Sequence, residues 1–158
     1  MLPTLCGTSM INEFQNSDIA SSEATHMEAV KTLIDRYNLE DPAAGQDVGV
    51  FTNSILQDLY DQLVEEGNRS LSSALRVGAA IEEIDILDLE ERIAQTDNED
   101  IRVVYENLTK GSRNHLRSFV KTLQQQTGET YTPQYLSPDA YEAIINSNIE
   151  RGNGRGRP

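Results

Sequence analysis

Three long stretches of this 158-residue chain place apolar side chains alternately three and four positions apart. That spacing puts them on one face of an α-helix, so we predict helices over residues 17–38, 70–95 and 98–126. No segment has the alternation of apolar and polar residues that is typical of a strand. The pattern therefore predicts an all-α fold in which the helices pack through their apolar stripes.

Two shorter helices complete this prediction. A Pro- and Gly-containing break at residues 41–45 ends the first helix, and an amphipathic segment follows over 53–67. A Ser-Pro-Asp sequence at 137–139 is typical of a helix start, with Pro at the first helical position. The Gly- and Arg-rich end of the chain is typical of disorder. We accordingly divide the chain into an irregular N-terminal remnant over 1–16, a helical domain over 17–148 and a disordered tail over 149–158.

Charge and hydropathy narrow the choice of partners. The chain has 26 acidic and 13 basic residues, a formal net charge of −13, so it repels nucleic-acid phosphates and we expect no nucleic-acid partner. No apolar run is long enough to span a membrane. Residues 1–10 lack the basic start and apolar stretch of a signal peptide. We expect a cytoplasmic protein as the sequence is written, with export of a longer form left open.

The apolar stripes are interrupted by residues of the types that bind metals. Glu23 and His26 lie on the stripe of the first long helix, Glu82 on that of the second, and Ser112 and His115 on that of the third. A Glu-x-x-His pair often arises by chance, and a single His on an apolar face is more often a satisfied core residue. Both histidines of this chain, however, fall on such stripes together with acidic groups, and that coincidence favours a metal site.

The second long helix carries apolar residues around nearly its whole circumference, which predicts a central position. Its acidic residues cannot then all reach solvent, and a buried carboxylate needs a cation, a partner or a proton. Glu82 lies about as many residues before the turn near Asp97 as Ser112 lies after it. Because both helices rise equally per residue, Glu82 and Ser112 should lie at the same level of an antiparallel pair. We therefore predict a metal site whose ligands are Glu23, His26, Glu82 and His115, with Glu83 and Asp85 as auxiliary ligands.

Three motifs resemble those of a known superfamily. Residues 22–27 (SEATHM), 79–85 (AAIEEID) and 111–116 (GSRNHL) resemble the second-, third- and fourth-helix motifs of rubrerythrin-like members of the ferritin-like superfamily. That resemblance implies a four-helix bundle with a long crossover between its second and third core helices. The segment over 53–67 would lie in this crossover.

Further segments resemble, more closely, an uncharacterised prokaryotic branch of that superfamily, a domain of unknown function. These segments are residues 41–45, 81–91 and 135–138. The resemblance implies a dinuclear site that holds iron, or alternatively manganese or another divalent metal. It also implies redox chemistry with oxygen or peroxide, as in an oxidoreductase or peroxidase.

The chain departs from that superfamily in two places. The first core helix, which donates a Glu, is mostly missing, and Glu13 lies too close to the next helix to replace it. Ser112 stands where the last helix usually has a Glu. We therefore expect a ferritin-like bundle that lacks most of its first helix and self-associates through the apolar groove left behind. The alternative function is a non-catalytic helical interaction module with a vestigial metal site.

Overall fold

The computed structural model describes residues 16–151, and their side chains from residue 19 onward. Within that range the chain forms five α-helices and no strand, which confirms the all-α prediction. The predicted remnant over 1–16, apart from Asn16, and the tail beyond Arg151 lie outside the described residues. The helices are α1 (Asn16–Arg36), α2 (Ser54–Gly67), α3 (Leu71–Gln95), α4 (Glu99–Thr127) and α5 (Pro138–Ile145).

The described residues divide into two compact units, with the boundary between Val77 and Gly78. The first contains α1, α2 and the first residues of α3. The second contains the rest of α3 together with α4 and α5. None of the helices described over 16–151 combines the length and the apolarity needed to cross a membrane.

Local sequence signals account for the ends of several helices. The Asn53 side chain accepts hydrogen bonds from the backbone N–H groups of Ile55 and Leu56, at 2.9 and 3.2 Å, and so caps α2. Ser137 caps α5 in the same way, through the N–H of Ala140. Gly128 adopts a left-handed conformation with φ of 75° and ends α4. The starts predicted for the two short helices are therefore confirmed.

In the first unit, the loop before α2 is tied to that helix. The Gln57 side chain accepts from the N–H of Phe51 and donates to the carbonyl oxygen of Gly49, at 3.0 and 3.1 Å. Gly49 has a positive φ of 81°, and a Cβ atom there would lie 2.5 Å from the Tyr60 hydroxyl oxygen. The loop therefore needs glycine at this position, both for its backbone conformation and for space.

The second unit has a core of aliphatic side chains from α3 and α4. Phe119 of α4 packs against Gly78 of α3, where an added Cβ atom would lie 2.5 Å from a ring carbon. A glycine in the middle of a helix costs stability, so its presence here is explained by this close approach. The largest fully buried apolar side chains are Ile86, Leu108, Leu116 and Leu123.

Polar residues of α4 hold the segment that follows α5. Arg113 forms a two-pronged ion pair with the carboxylate of Glu150, at 2.6 and 2.7 Å, and Arg117 reaches the same carboxylate at 3.0 Å. The Asn114 side-chain amide donates to the backbone carbonyl of Glu150 and accepts from its N–H, at 2.8 and 3.0 Å. We call Arg113, Asn114, Arg117 and Glu150 the C-terminal anchor.

The C-terminal anchor includes Glu150, which lies within the predicted tail over 149–158, and the domain bounds remain a prediction. The hydrogen bond from Arg113, assisted by Arg117, lowers the pKa of Glu150 from 4.5 to about 2. No apolar periodicity marks these contacts in the sequence, because charged and polar side chains make them.

Candidate metal centre

The first unit contributes one buried pair of a carboxylate and an imidazole. Glu23 and His26 lie one turn apart on α1, with 3.1 Å between a carboxylate oxygen and Nδ1 of the ring. Both side chains are about nine-tenths buried. The hydroxyl of Ser22 lies 3.5 Å from Nε2 of His26, so Nδ1 is the ring nitrogen that faces the carboxylate.

The second unit contributes a pair of the same kind. Glu82 of α3 and His115 of α4 approach to 3.3 Å between a carboxylate oxygen and Nδ1, and their side chains are 6% and 9% exposed. Ser112 lies one turn before His115 and is buried. The equal-rise argument placed this part of α4 beside Glu82, and the contact between Glu82 and His115 agrees with it.

Carboxylate oxygen and imidazole nitrogen are the donors that iron, manganese and zinc share in proteins. Glu23, Glu82 and His115 are buried residues of types that could hold a metal ion. A metal ion would bind a deprotonated imidazole nitrogen and an ionised carboxylate.

Glu83 has a different set of contacts from Glu82. Its side chain is fully buried, and one carboxylate oxygen accepts the backbone N–H groups of Gln134, Tyr135 and Leu136 at 3.0, 2.6 and 2.8 Å. Burial, together with the nearby Glu83 carboxylate, raises the pKa of the Tyr131 hydroxyl. These contacts join α3 to the segment that leads into α5. The predicted role of Glu83 as an auxiliary metal ligand remains a prediction.

Two further acidic residues follow on α3. Asp85 is 7% exposed and lies one turn from Glu82. Asp88 accepts two hydrogen bonds from Arg92, at 3.1 and 3.2 Å. The auxiliary role of Asp85 also remains a prediction.

Sequence reasoning missed two residues that lie next to predicted ligands. Ser22 lies four positions before His26, a spacing that puts both on one helical face, so the sequence contained the signal. Tyr131 lies far along the chain from Glu83, and nothing in the local sequence links the two.

Comparison with known proteins identifies the family. An uncharacterized protein domain, DUF2202, matches residues 10–148. The chain belongs to the DUF2202 family. It is 55% identical over 138 residues to the uncharacterized protein MJ0754 of Methanocaldococcus jannaschii, a match that covers 87% of this chain and 74% of that protein. This agrees with the resemblance to a domain of unknown function.

A solved structure supports the same relationship. The crystal structure of hypothetical protein MJ0754 from Methanococcus jannaschii superimposes with a TM-score of 0.83 at 51% identity. The match covers 89% of this chain and 82% of that one. The DUF2202 fold of this chain is therefore shared with a solved relative, while the ferritin-like assignment remains a prediction.

Proposed function

We propose that this DUF2202 protein binds a divalent transition-metal ion through Glu23, His26, Glu82 and His115. The observation that carries the proposal is the Glu82–His115 pair, in which a carboxylate and an imidazole from two helices meet at 3.3 Å in a buried place. The pair on α1 repeats the same donors with the same ring nitrogen. Two such pairs supply four donor atoms of the types that transition metals prefer.

The donor types in the two buried pairs favour a metal. Removing a carboxylate from water is costly, and a cation, a hydrogen-bonding partner or a proton can offset the cost. Glu83 shows the second solution, with three backbone donors. Glu23 and Glu82 each face an imidazole, which is itself a metal ligand.

The choice of metal and the chemistry rest on the resemblance to ferritin-like proteins. It favours iron, with manganese as the alternative, and it favours oxygen- or peroxide-linked redox activity. An iron or manganese ion of coordination number above four, held by these four residues, would have positions left for such a substrate. These proposals are separate from metal binding itself and would be tested after it.

Metal analysis of protein purified without chelators tests the proposal. We expect bound metal in the parent protein and at least about a tenfold loss of affinity in Glu82→Gln and His115→Gln, since each removes a ligand. Glu90→Gln is the matched control, because Glu90 is an exposed residue of the same helix. A parent protein that stays metal-free after growth with added iron and manganese would refute the proposal, and would favour the interaction-module alternative.

A further inference from the structure

The segment over residues 134–150, which contains α5, is held at both of its ends by polar side chains of α3 and α4 within the second unit. We call this segment the strap. At its start, the N–H groups of residues 134 to 136 donate to one carboxylate oxygen of Glu83 on α3. At its end, the C-terminal anchor holds both the side chain and the backbone of Glu150 against α4. The strap therefore joins one point on α3 to one point on α4.

These two points lie directly beside the buried pair of carboxylate and imidazole in the same unit. Glu83 follows Glu82 in the sequence, and Asn114 precedes His115. Successive residues of a helix point about 100° apart. Each helix therefore directs one side chain to the pair and the neighbouring side chain to the strap. A rotation of either helix about its axis moves both side chains together.

Small rotations of a helix matter to a metal site. A side chain ends about 5–6 Å from the helix axis, so a rotation of about 10° moves that end by about 1 Å. Distances between a metal and its ligands vary by only about 0.2 Å. The same rotation would displace the Glu83 carboxylate from its three donors, and the buried N–H of Leu136 would lose its acceptor.

The aliphatic core between α3 and α4 is less able to fix this rotation. Hydrophobic contact is non-directional, whereas a hydrogen bond weakens steeply as it bends. Asn114 forms two hydrogen bonds to the backbone of Glu150, at 2.8 and 3.0 Å, and they set the angle of α4 as the bonds of Glu83 set that of α3. Directional contacts to the strap thus supply what the core does not.

We infer that Glu83 and Asn114 are positioning residues of the metal centre, which act through the strap to fix the rotations of α3 and α4 that bring Glu82 and His115 together. This inference rests on the proposed function, and it gives neither positioning residue a contact with the metal. Coupling between two sites is reciprocal. A bound metal ion should therefore hold the strap more firmly than it is held in the metal-free protein.

Amide hydrogen exchange of the parent protein, measured by NMR with and without Zn²⁺, is the first test. Zn²⁺ is diamagnetic and binds the same donor types. We expect Zn²⁺ to slow exchange at the amides of Tyr135, Leu136 and Glu150 by at least about fivefold. The control is the amide of Gly128, which bonds to the Gln124 carbonyl at the end of α4, away from the strap.

Three results of this experiment would count against the inference. Unchanged exchange in the strap would overturn it while leaving metal binding intact. Equal slowing at the amide of Gly128 would show general stabilisation and would overturn it as well. A parent protein that binds none of Zn²⁺, Mn²⁺ and iron would overturn both the inference and the proposed function.

The second test measures Zn²⁺ affinity in variants that keep all four proposed ligands. Glu83→Gln and Asn114→Ala should each bind Zn²⁺ at least about fivefold more weakly and lose the effect of Zn²⁺ on exchange in the strap. Leu123→Val is the control, because it weakens the buried core of α4 two turns from His115 and should leave the affinity within about twofold.

The two positions separate positioning from other roles. Less stable variants that bind Zn²⁺ as tightly as the parent protein would show that the strap is only structural. A loss of affinity in Glu83→Gln alone would indicate that Glu83 is itself a ligand, and would overturn the inference. If one variant fails to fold, the other variant and the exchange of the parent protein still decide.

Discussion

The C-terminal anchor allows a prediction with a magnitude and a pH dependence. Glu150→Gln removes the charge that pairs with Arg113 and Arg117 but keeps the size of the side chain. Lowering the pKa of Glu150 from 4.5 to about 2 corresponds to about 3 kcal/mol of stabilisation. The Glu150 side chain is 27% exposed, so solvent screening reduces this value, and we expect a loss of about 1–2 kcal/mol at pH 7.

The pH dependence of that loss has a definite sign. A carboxyl group whose pKa is lower in the folded state stabilises the fold when it is ionised in both states. The contribution of Glu150 is therefore fully present above about pH 4.5 and disappears as the pH falls toward about 2. The difference between the parent protein and Glu150→Gln should shrink across the same range.

Thermal unfolding of both proteins at a series of pH values measures this difference. At pH 7 we expect the Glu150→Gln variant to melt about 2–8 °C lower, given the size of the chain. Glu142→Gln is the control, since Glu142 is an exposed residue of neighbouring α5. Equal melting temperatures at pH 7, or a difference that does not change between pH 7 and pH 3, would refute the reasoning.

Three other predictions concern packing, capping and assembly. Gly78→Ala should lower the free energy of unfolding by about 1–3 kcal/mol in urea, because its Cβ would lie 2.5 Å from the Phe119 ring. Gly67→Ala, whose Cβ has only ordinary contacts, should not be destabilising. Asn53→Ala should cost about 1 kcal/mol through loss of the α2 cap, and Asn53→Asp should keep most of it. Size exclusion with light scattering should show the self-association predicted from sequence, and a clean monomer would contradict that prediction.

The sequence predicted the helices well because their signals are local. Apolar spacing marks each long helix, and Asn53 and Ser137 mark the starts of the short ones. The meeting of Glu82 with His115 was also predictable, because two antiparallel helices joined by a short turn have little freedom in register. These features depend only on residues close in sequence or on regular geometry.

The partners of Glu83 and Glu150 could not be predicted in this way. Glu83 binds backbone N–H groups more than fifty residues away, and a backbone group has no signature in the sequence. Arg113 and Glu150 are charged residues of the kind that usually face solvent, so nothing local marks them as a pair. Three predictions remain untested: the ferritin-like bundle, the identity of the metal and self-association. The spacing of residues along one chain does not determine any of them.

The contact between Asn114 and Glu150 has a consequence for variation within the DUF2202 family. The Asn114 amide binds the N–H and the carbonyl of residue 150, which every amino acid except proline provides. The Asn114 side chain therefore fixes the path of the backbone at residue 150, while the side chain at position 150 only adds charge. Relatives that keep this path should vary more freely at position 150 than at position 114, and replacement of Asn114 should move the segment even where the glutamate remains.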